Sequence, residues 1–568
     1  MIQSIMREVK RKITRVGGGI GLCYDKNKNN VGGKRRYHMR NKNTEKSCKY
    51  IFVTGGVLSG VGKGITAASI GAILKAKGYK VSIQKCDPYL NVDAGLLNPV
   101  EHGECFVTHD GKETDLDLGH YERFLDFETS KYSSVLSGAL YRELIDKERS
   151  GGFHGKTVQM VPHFTDLVQE KIEKAAEGSD IHIVEIGGTV GDYEGLSFIE
   201  AIRLFANRVG RGSCLYVHVV YVPWINTSKE LKTKPAQNAL KDLRGFGIIP
   251  DVVVCRTERP APRAICEKIA AFSGIDKEAV LNLPDIESVY DVPFNVLKSG
   301  VLEILNRFVG DDSDPDMSKW KEFSRLRGKE WAKTVRVGLV AKYVGNDDAY
   351  ICVTEALKAA AAWNKVNIEI EWINAEEATE KDFARVDGLV VPGGFGTRGV
   401  EGKIKAAEYA LETGKPYLGL CLGMQCAVVA AARRGGLKSA GSEEFGAKEG
   451  ENVIYIMEGQ RGKESTGGTM RLGNYVAKLQ EGSKTQGVYG KDEVVERHRH
   501  RYEVNQKYLS EVEKGGLIVS GTSPDGKLVE FVEAPECKFF VATQAHPEFK
   551  SRPLDVHPLF REFVKSLK

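Results

Sequence analysis

The chain has 568 residues, 42% of them hydrophobic and 28% charged, and a formal net charge of +5. That length exceeds what one hydrophobic core usually serves, so two or more domains are expected, and no apolar run approaches the roughly 18 residues of a membrane span, which reads as a soluble protein. Eleven cysteines are scattered without the C-x-x-C pairs of a zinc site; the odd count fits a reducing cytoplasm better than an exported disulfide scaffold.

The positive excess is local. Residues 1–49 hold 14 Lys or Arg against 3 acidic residues, which leaves the rest of the chain net acidic. Residues 1–48, with their KNKNN and GGKRR tracts and little periodic apolar pattern, are expected to form a basic, disordered extension. The segment reads as a solvated tail, or as an upstream extension ahead of a start near Met39, in preference to a transit peptide or a nucleic-acid-binding arm.

From Lys49 onward short β-rich runs alternate with helical segments: YIFVTG, a Gly-rich turn, ITAASIGAILKAKG, YKVSIQK, IHIVEIGG, CLYVHVVYV and DVVVCR. The pattern predicts an α/β domain with a P-loop-like, doubly wound parallel sheet over residues 49–310. Cys86, Cys214 and Cys255 fall inside apolar runs and read as small core residues. The turn GGVLSGVGKG, residues 55–64, follows a strand and precedes a helix, the setting in which backbone N–H groups and a helix N-terminus cradle phosphate, with Lys63 as point charge. It departs from a regular P-loop, since Val57 takes the first glycine's place and Gly64 replaces the Ser or Thr that holds magnesium, and alone it reads equally as a tight turn.

Carboxylates elsewhere favour the phosphate reading. Asp115 and Asp117 lie in ETDLDLGHYERF, and Glu185 ends a buried strand at the crevice where open α/β sheets bind ligands. In KELKTKPAQNALKDL, residues 229–243, Lys232 and Lys234 precede a proline that starts a helix, which offers two cations and a helix N-terminus to an anion; a solvated charge run is the alternative. Residues 311–334, polar and without strand pattern, are expected to link the domains.

A second α/β series then begins: VRVGLVA, the helix AYICVTEALKAAAAW, VNIEIEWI, DGLVVPGG, the helix KIKAAEYALETG and the strand KPYLGL. The last runs into Gly419-Leu420-Cys421-Leu422-Gly423, a nucleophile elbow whose small flanking residues let the backbone double back and whose thiol stands at the positive end of the next helix, which favours the thiolate. Downstream, FFVATQA ends at His546-Pro547-Glu548, a base and an orienting acceptor for that thiol. Together they point to covalent hydrolysis.

The words KYIFVTGGVLSGVGKG, KCDPYLNVD, EHGECFVTHDGKETDLDLGHYERF, VEIGGTVGDYEG, KTKPAQ, VPGGFGTRGVEG, LGLCLGMQ, GGTMRLG, VERHRHRYEVN and AHPEF run in order from Lys49 to the end. By these the chain resembles the CTP synthases, and the resemblance implies an amidoligase domain followed by a class I glutamine amidotransferase domain over residues 335–568. ATP would phosphorylate the oxygen on carbon 4 of UTP, and ammonia released from glutamine would displace the phosphate. Carried over by motif, ATP binding falls to Ser59, Gly60, Val61, Gly62, Lys63, Gly64, Ile65, Lys85 and Asp117, and magnesium to Asp117 and Glu185. UTP, or CTP as feedback inhibitor, falls to Ser59, Asp192, Tyr193, Glu194, Lys232, Thr233, Lys234, Pro235, Ala236, Gln237 and Lys268.

Cys421 would be the nucleophile, His546 the proton shuttle and Glu548 its orienter, with glutamine recognised by Gly393, Gly394, Leu422, Gly423, Met424, Gln425, Glu444 and Arg501. Arg398 to Gly402 matches the lid that answers GTP as allosteric activator. The resemblance further implies a cytoplasmic homotetramer able to polymerise, an internal ammonia tunnel, and neither membrane nor nucleic acid as partner. Three departures stand out: Ala236 where Thr is usual, DAYICV in place of a more polar pattern, and a short stretch before GGTMRLG. A corrinoid or dicarboxylate amidase would lack KTKPAQ, GHYERF and VGDYEG; a decayed regulatory protein would have lost Cys421, His546 or Glu548.

Overall fold

Runs such as YIFV and IHIVEI are predominantly apolar and buried along their whole length, so they need strands on either side and helices above and below, which a parallel sheet supplies. In the computed structural model seven strands meet this need: Lys49–Gly55 (β1), Val81–Asp87 (β2), Ser134–Leu136 (β3), Ile181–Ile186 (β4), Cys214–Tyr221 (β5), Val252–Thr257 (β6) and Val280–Pro284 (β7). They lie in the order β7-β6-β5-β1-β4-β2-β3, every pair parallel. The winding reverses around β1, which opens a crevice at the carboxyl ends of β1, β4 and β2. Register completes the placement, because Glu185 pairs with Val53 on one side and with Lys85 on the other. Residues 48–447, 450–463 and 468–568 are described. The basic extension expected over residues 1–48 lies outside them, Cys48 apart.

Helices Lys63–Ala76 (α1) and Asp117–Leu125 (α2) pack on this sheet, and Lys234–Gly245 (α3) follows β5. The segment 311–334 contains helix Ser318–Arg327 (α4), whose Trp320, Phe323 and Leu326 form a buried stripe, with Trp320 stacked near Phe124 and Tyr290.

The second sheet has nine strands: Thr334–Ala341 (β8), Asn367–Asn374 (β9), Gly388–Val391 (β10), Tyr417–Leu420 (β11), Arg471–Leu479 (β12), Glu493–His500 (β13), Ile518–Thr522 (β14), Val529–Glu533 (β15) and Phe540–Thr543 (β16). Their order is β9-β8-β10-β11-β16-β15-β14-β12-β13. The first five are parallel, and from β16 onward the neighbours are antiparallel. Helices Ile351–Asn364 (α5), Val400–Thr413 (α6) and Leu422–Arg434 (α7) belong to this half. No described helix is long and apolar enough to cross a membrane.

Charge, not only apolar packing, joins the two halves. Arg497 of β13, wholly buried, donates to the Val107 carbonyl at 2.7 Å and to Glu122 of α2 at 3.2 Å, while Arg552 pairs with the other oxygen of Glu122. Thr129 adds two donors to the same carboxylate. Beside them Arg499 bonds Glu113 at 2.8 Å. Because a buried ion stripped of its partner cannot recover its hydration, Glu122→Gln should destabilise the chain by about 3–5 kcal/mol. Urea unfolding of the full-length protein checks this; a loss under about 1 kcal/mol would mean the cluster contributes little.

Candidate functional site

The Gly-rich turn runs from the end of β1 to α1. Gly62 caps the helix with φ 93°, and Gly60 has φ 71°, a left-handed backbone that glycine adopts without strain. Val57 holds φ 85°, a strained value for a β-branched residue. Lys63 is buried and donates to the Gly188 carbonyl at 2.8 Å; burial lowers its pKa.

Lys85, at the end of β2, reaches Asp115 at 2.7 Å, contacts Asp117 more closely, and lies 3.7 Å from Asp87. Burial works against its charge, but these three carboxylates hold its pKa well above the usual value. Asp115 also caps the start of α2 through the Asp117 N–H at 3.0 Å. Burial lifts Glu185 to about 7, with Asp117 adding to the effect and Lys85 and Lys63 opposing it; Tyr121 donates to the Glu185 carboxylate.

These groups line one cavity of about 500 Å³ that includes residues 59–65. A Cβ on Gly64 would stand 2.9 Å from an Asp117 oxygen and 3.1 Å from a Glu185 oxygen, so the glycine leaves the two carboxylates room to converge. A divalent cation fits that pair. Among the described residues no group of three or more His, Cys, Asp or Glu is arranged to hold a metal, so phosphate oxygens and water would complete its shell.

The residues expected to contact the pyrimidine nucleotide do not line this cavity, apart from Ser59. Asp192, Tyr193 and Glu194 stand exposed beyond β4; Lys232 pairs with Glu230, whose carboxyl is held low by Lys232 first and by Lys268 more weakly. Thr233 and Gln237 are buried and bond each other at 3.3 Å. Lys234 and Pro235 open α3. Ala236 is fully enclosed in an apolar cluster with Leu240, Cys255 and Cys266, so the methyl group packs where a hydroxyl would need a partner.

The second centre is assembled from three adjacent strand ends. β11 stops at Cys421, whose φ of 51° and ψ of −103° mark a strained elbow before α7. The turn admits no bulk: a Cβ on Gly423 would lie 2.0 Å from the Val391 carbonyl, and one on Gly419 2.8 Å from Ala542. β10 delivers Pro392-Gly393-Gly394, and a Cβ on Gly393 would stand 2.7 Å from the His546 ring and 3.6 Å from Cys421 Cβ. β16 delivers His546, whose Nδ1 lies 2.7 Å from Glu548 and whose Nε2 has no hydrogen-bond partner. Burial disfavours the imidazolium, yet Glu548 and Cys421 outweigh it and push the pKa up to about 10. The ring stacks on Phe549 at 4.9 Å, and the His546 N–H donates to the Arg497 carbonyl at 2.7 Å. Cys421 Sγ lies 3.7 Å from both the Arg499 carbonyl and Gln544 Nε2.

Leu422, Gly423, Met424 and Gln425 form the buried first turn of α7, where Gln425 donates to the Tyr502 carbonyl at 3.0 Å. Glu444 accepts from the Gly396 N–H at 2.7 Å, and Arg501 bonds Gln460 at 3.0 Å. A cavity of about 190 Å³ connects Gly393, Gly394 and His546 with Gly95 and Pro99 of the first half, and Leu97 lines both this cavity and the larger one. Asn346 and Asp348 of the second half also border the larger cavity.

Sequence reasoning missed Asp87, Arg499, Gln544, Lys342 and Lys403. Lys403 left a trace: it falls on the apolar stripe of α6 with Val400, Ile404, Ala407 and Leu411, where a lysine has no reason to sit unless its amine is bonded inside.

A family model described as CTP synthase N-terminus matches residues 49–310, and one described as glutamine amidotransferase class-I matches residues 347–566. The CTP synthase of Carboxydothermus hydrogenoformans is 51% identical over 524 residues, which cover 91% of this chain and 98% of that protein. That of Methanocaldococcus jannaschii is 49% identical over 533 residues, covering 92% and 98%. A solved glutaminase domain of Trypanosoma brucei CTPS with bound acivicin is 37% identical over 41% of this chain and 93% of its own, with a TM-score of 0.39.

The elbow invites a direct test. Gly423→Ala must displace the turn, at about 1–3 kcal/mol, and alkylation of Cys421 by iodoacetamide is expected to slow at least about tenfold. Unchanged alkylation, followed by mass spectrometry of the Cys421 peptide, would show that the turn tolerates the methyl group.

Proposed function

This chain belongs to the CTP synthase family, converting UTP to CTP with ATP as co-substrate and nitrogen taken from glutamine, and on that premise we propose how its two centres divide the work. The convergence of Cys421, the His546–Glu548 pair and the Gly393–Gly394 turn at three neighbouring strand ends carries the reading. Residues 335–568 release ammonia, residues 49–310 consume it, and residues 311–334, with α4 packed between aromatic rings, join them.

Cys421 attacks the side-chain amide carbon of glutamine. His546 takes the thiol proton and returns it to the departing nitrogen, and Glu548 holds the imidazole so that Nε2 is left for the thiol. The N–H groups of Gly394 and Leu422 receive the oxyanion of the tetrahedral intermediate. Gly393, Gly423, Met424, Gln425, Glu444 and Arg501 surround the glutamine. Ammonia, reactive and easily protonated, passes by the cavity bordered by Leu97; the wall that the two cavities share supports this route.

In the first half the N–H groups of residues 59–65 hold the ATP phosphates, and Lys63 and Lys85 neutralise the group in transfer. Magnesium, held by Asp117 and Glu185, would offset phosphate charge as the phosphoryl group moves to the oxygen on carbon 4 of UTP. That oxygen leaves poorly as oxide and well as phosphate, so ammonia can displace it. Ser59, Asp192 to Glu194, Lys232 to Gln237 and Lys268 bind the pyrimidine nucleotide, UTP as substrate or CTP as inhibitor, and Ser59, which lines the ATP cavity, marks where the ring meets the phosphates.

Arg398 to Gly402 serve as the lid that answers GTP. Self-association into a tetramer, and into polymers of it, is supported by large apolar side chains left in water, among them Tyr193 at 91%, Leu90 at 73% and Leu96 at 68% exposure. The ten described cysteines are all free thiols, which supports work in a reducing cytoplasm.

Two variants test the division, with the ultraviolet shift from uracil to cytosine as readout. Cys421→Ala should abolish CTP formation from glutamine and leave formation from ammonium at the wild-type rate; loss of both would refute separate centres. Lys63→Ala should lower both routes by about a hundredfold or more. Retained turnover with either nitrogen source would count against the phosphate role.

A further inference from the structure

Lys403 is a fully buried lysine that the reaction as described does not use. An ammonium removed from water costs several kcal/mol unless its N–H groups are satisfied. No Asp or Glu among the described residues pairs with it; its Nζ donates instead to the Pro392 carbonyl at 2.7 Å and to the Gly393 carbonyl at 3.3 Å. Lys342 does the same one step along the loop, reaching the carbonyls of Phe395 at 2.6 Å and Gly396 at 2.8 Å. Two lysines thus hold four carbonyls of the Pro392–Gly396 turn.

The consequence lies in peptide geometry. The Gly393 carbonyl and the Gly394 N–H belong to one planar trans unit, so they point in opposite directions. Anchoring the oxygen on Lys403 turns the N–H away from the lysine, and a cation on that oxygen draws electron density from the nitrogen and makes the N–H a stronger donor. A Cβ on Gly393 would meet His546 and Cys421, and one on Gly394, at φ 154°, would stand 3.6 Å from the side chain of Leu422, whose N–H is the other expected donor of the oxyanion hole.

We propose that Lys403 is a positioning residue of the amide-hydrolysing centre, its ammonium fixing and polarising the Gly393–Gly394 peptide so that the Gly394 N–H meets the oxyanion formed when Cys421 attacks. The inference rests on the reading of Cys421 as nucleophile. It assigns Lys403 no contact with glutamine and no proton transfer. Burial, reinforced by Lys342, pushes the Lys403 pKa down to about 7, so the cation is present below that pH and is lost as the pH rises through it.

Lys403→Met in the full-length chain retains the length of the side chain and removes the cation. The kcat for glutamine hydrolysis is expected to fall about tenfold to a hundredfold while KM for glutamine changes by less than about threefold. Ammonium-driven CTP formation and alkylation of Cys421 by iodoacetamide should stay at wild-type rates. Affinity for glutamate γ-semialdehyde, whose thiohemiacetal places an oxyanion in the same position, should fall by the same factor as kcat. Lys403→Gln, which keeps an N–H for the carbonyls without the charge, should lie between the two.

An unchanged kcat overturns the proposal. So does a loss of ammonium-driven synthesis in both variants, or a fall in alkylation that tracks kcat, because either result makes Lys403 scaffold. Cys421→Ala judges the nucleophile separately: glutamine-driven synthesis surviving that substitution would refute the assignment of the centre, whatever the Lys403 variants do.

Discussion

Parallel strands deliver their carboxyl ends to one edge of a sheet, and both centres of this molecule are built on that constraint. At β1, β2 and β4 it brings a glycine-rich turn, a lysine and a carboxylate together through register alone, with Lys85 opposite Glu185. At β10, β11 and β16 it brings a Gly-Gly turn, a thiol and an imidazole together in the same way. The chemistry differs because the turns differ. Glycines at left-handed angles shape the first, whereas the second forces a cysteine into a backbone conformation that side chains avoid. That strain is sustained by neighbours with no room to yield, such as the Val391 carbonyl against Gly423.

Electrostatics then separates the tasks of similar residues. Lys85 is surrounded by carboxylates and keeps its charge, while Lys63 and Lys403 are buried with carbonyls as partners and hold theirs less firmly. Glu185 and Asp117 diverge for the same reason. Burial governs the first, and the second feels Lys85 at close range.

Much of this was legible in the order of residues. Apolar runs of strand length marked β1, β4, β5, β8 and β16, and Gly-Leu-Cys-Leu-Gly marked the elbow, because these features depend on neighbours a few positions away. The antiparallel strands β12 and β13 were not legible. They carry Arg471, Glu496, Arg497, His498 and His500, all buried, and such a run looks solvated until the partners Glu122, Glu530 and His557 arrive from distant sequence. Ala236 was hidden for a related reason: its place in the KTKPAQ motif suggested a nucleotide contact, and only the folded chain shows that α3 sets its methyl group in an apolar cluster. Lys403 could be suspected from helical periodicity, but its two carbonyl partners could not.

Arg497 belongs to both halves at once: its guanidinium is sealed against α2, and its carbonyl steadies the backbone of His546. A cut between the halves would leave that cation facing solvent on a surface shaped for a carboxylate and would unmoor the strand beneath the imidazole. Severing or exchanging one half therefore requires rebuilding the seam around Glu122, and chimeras of distant relatives are compatible only where both sides of that seam travel together.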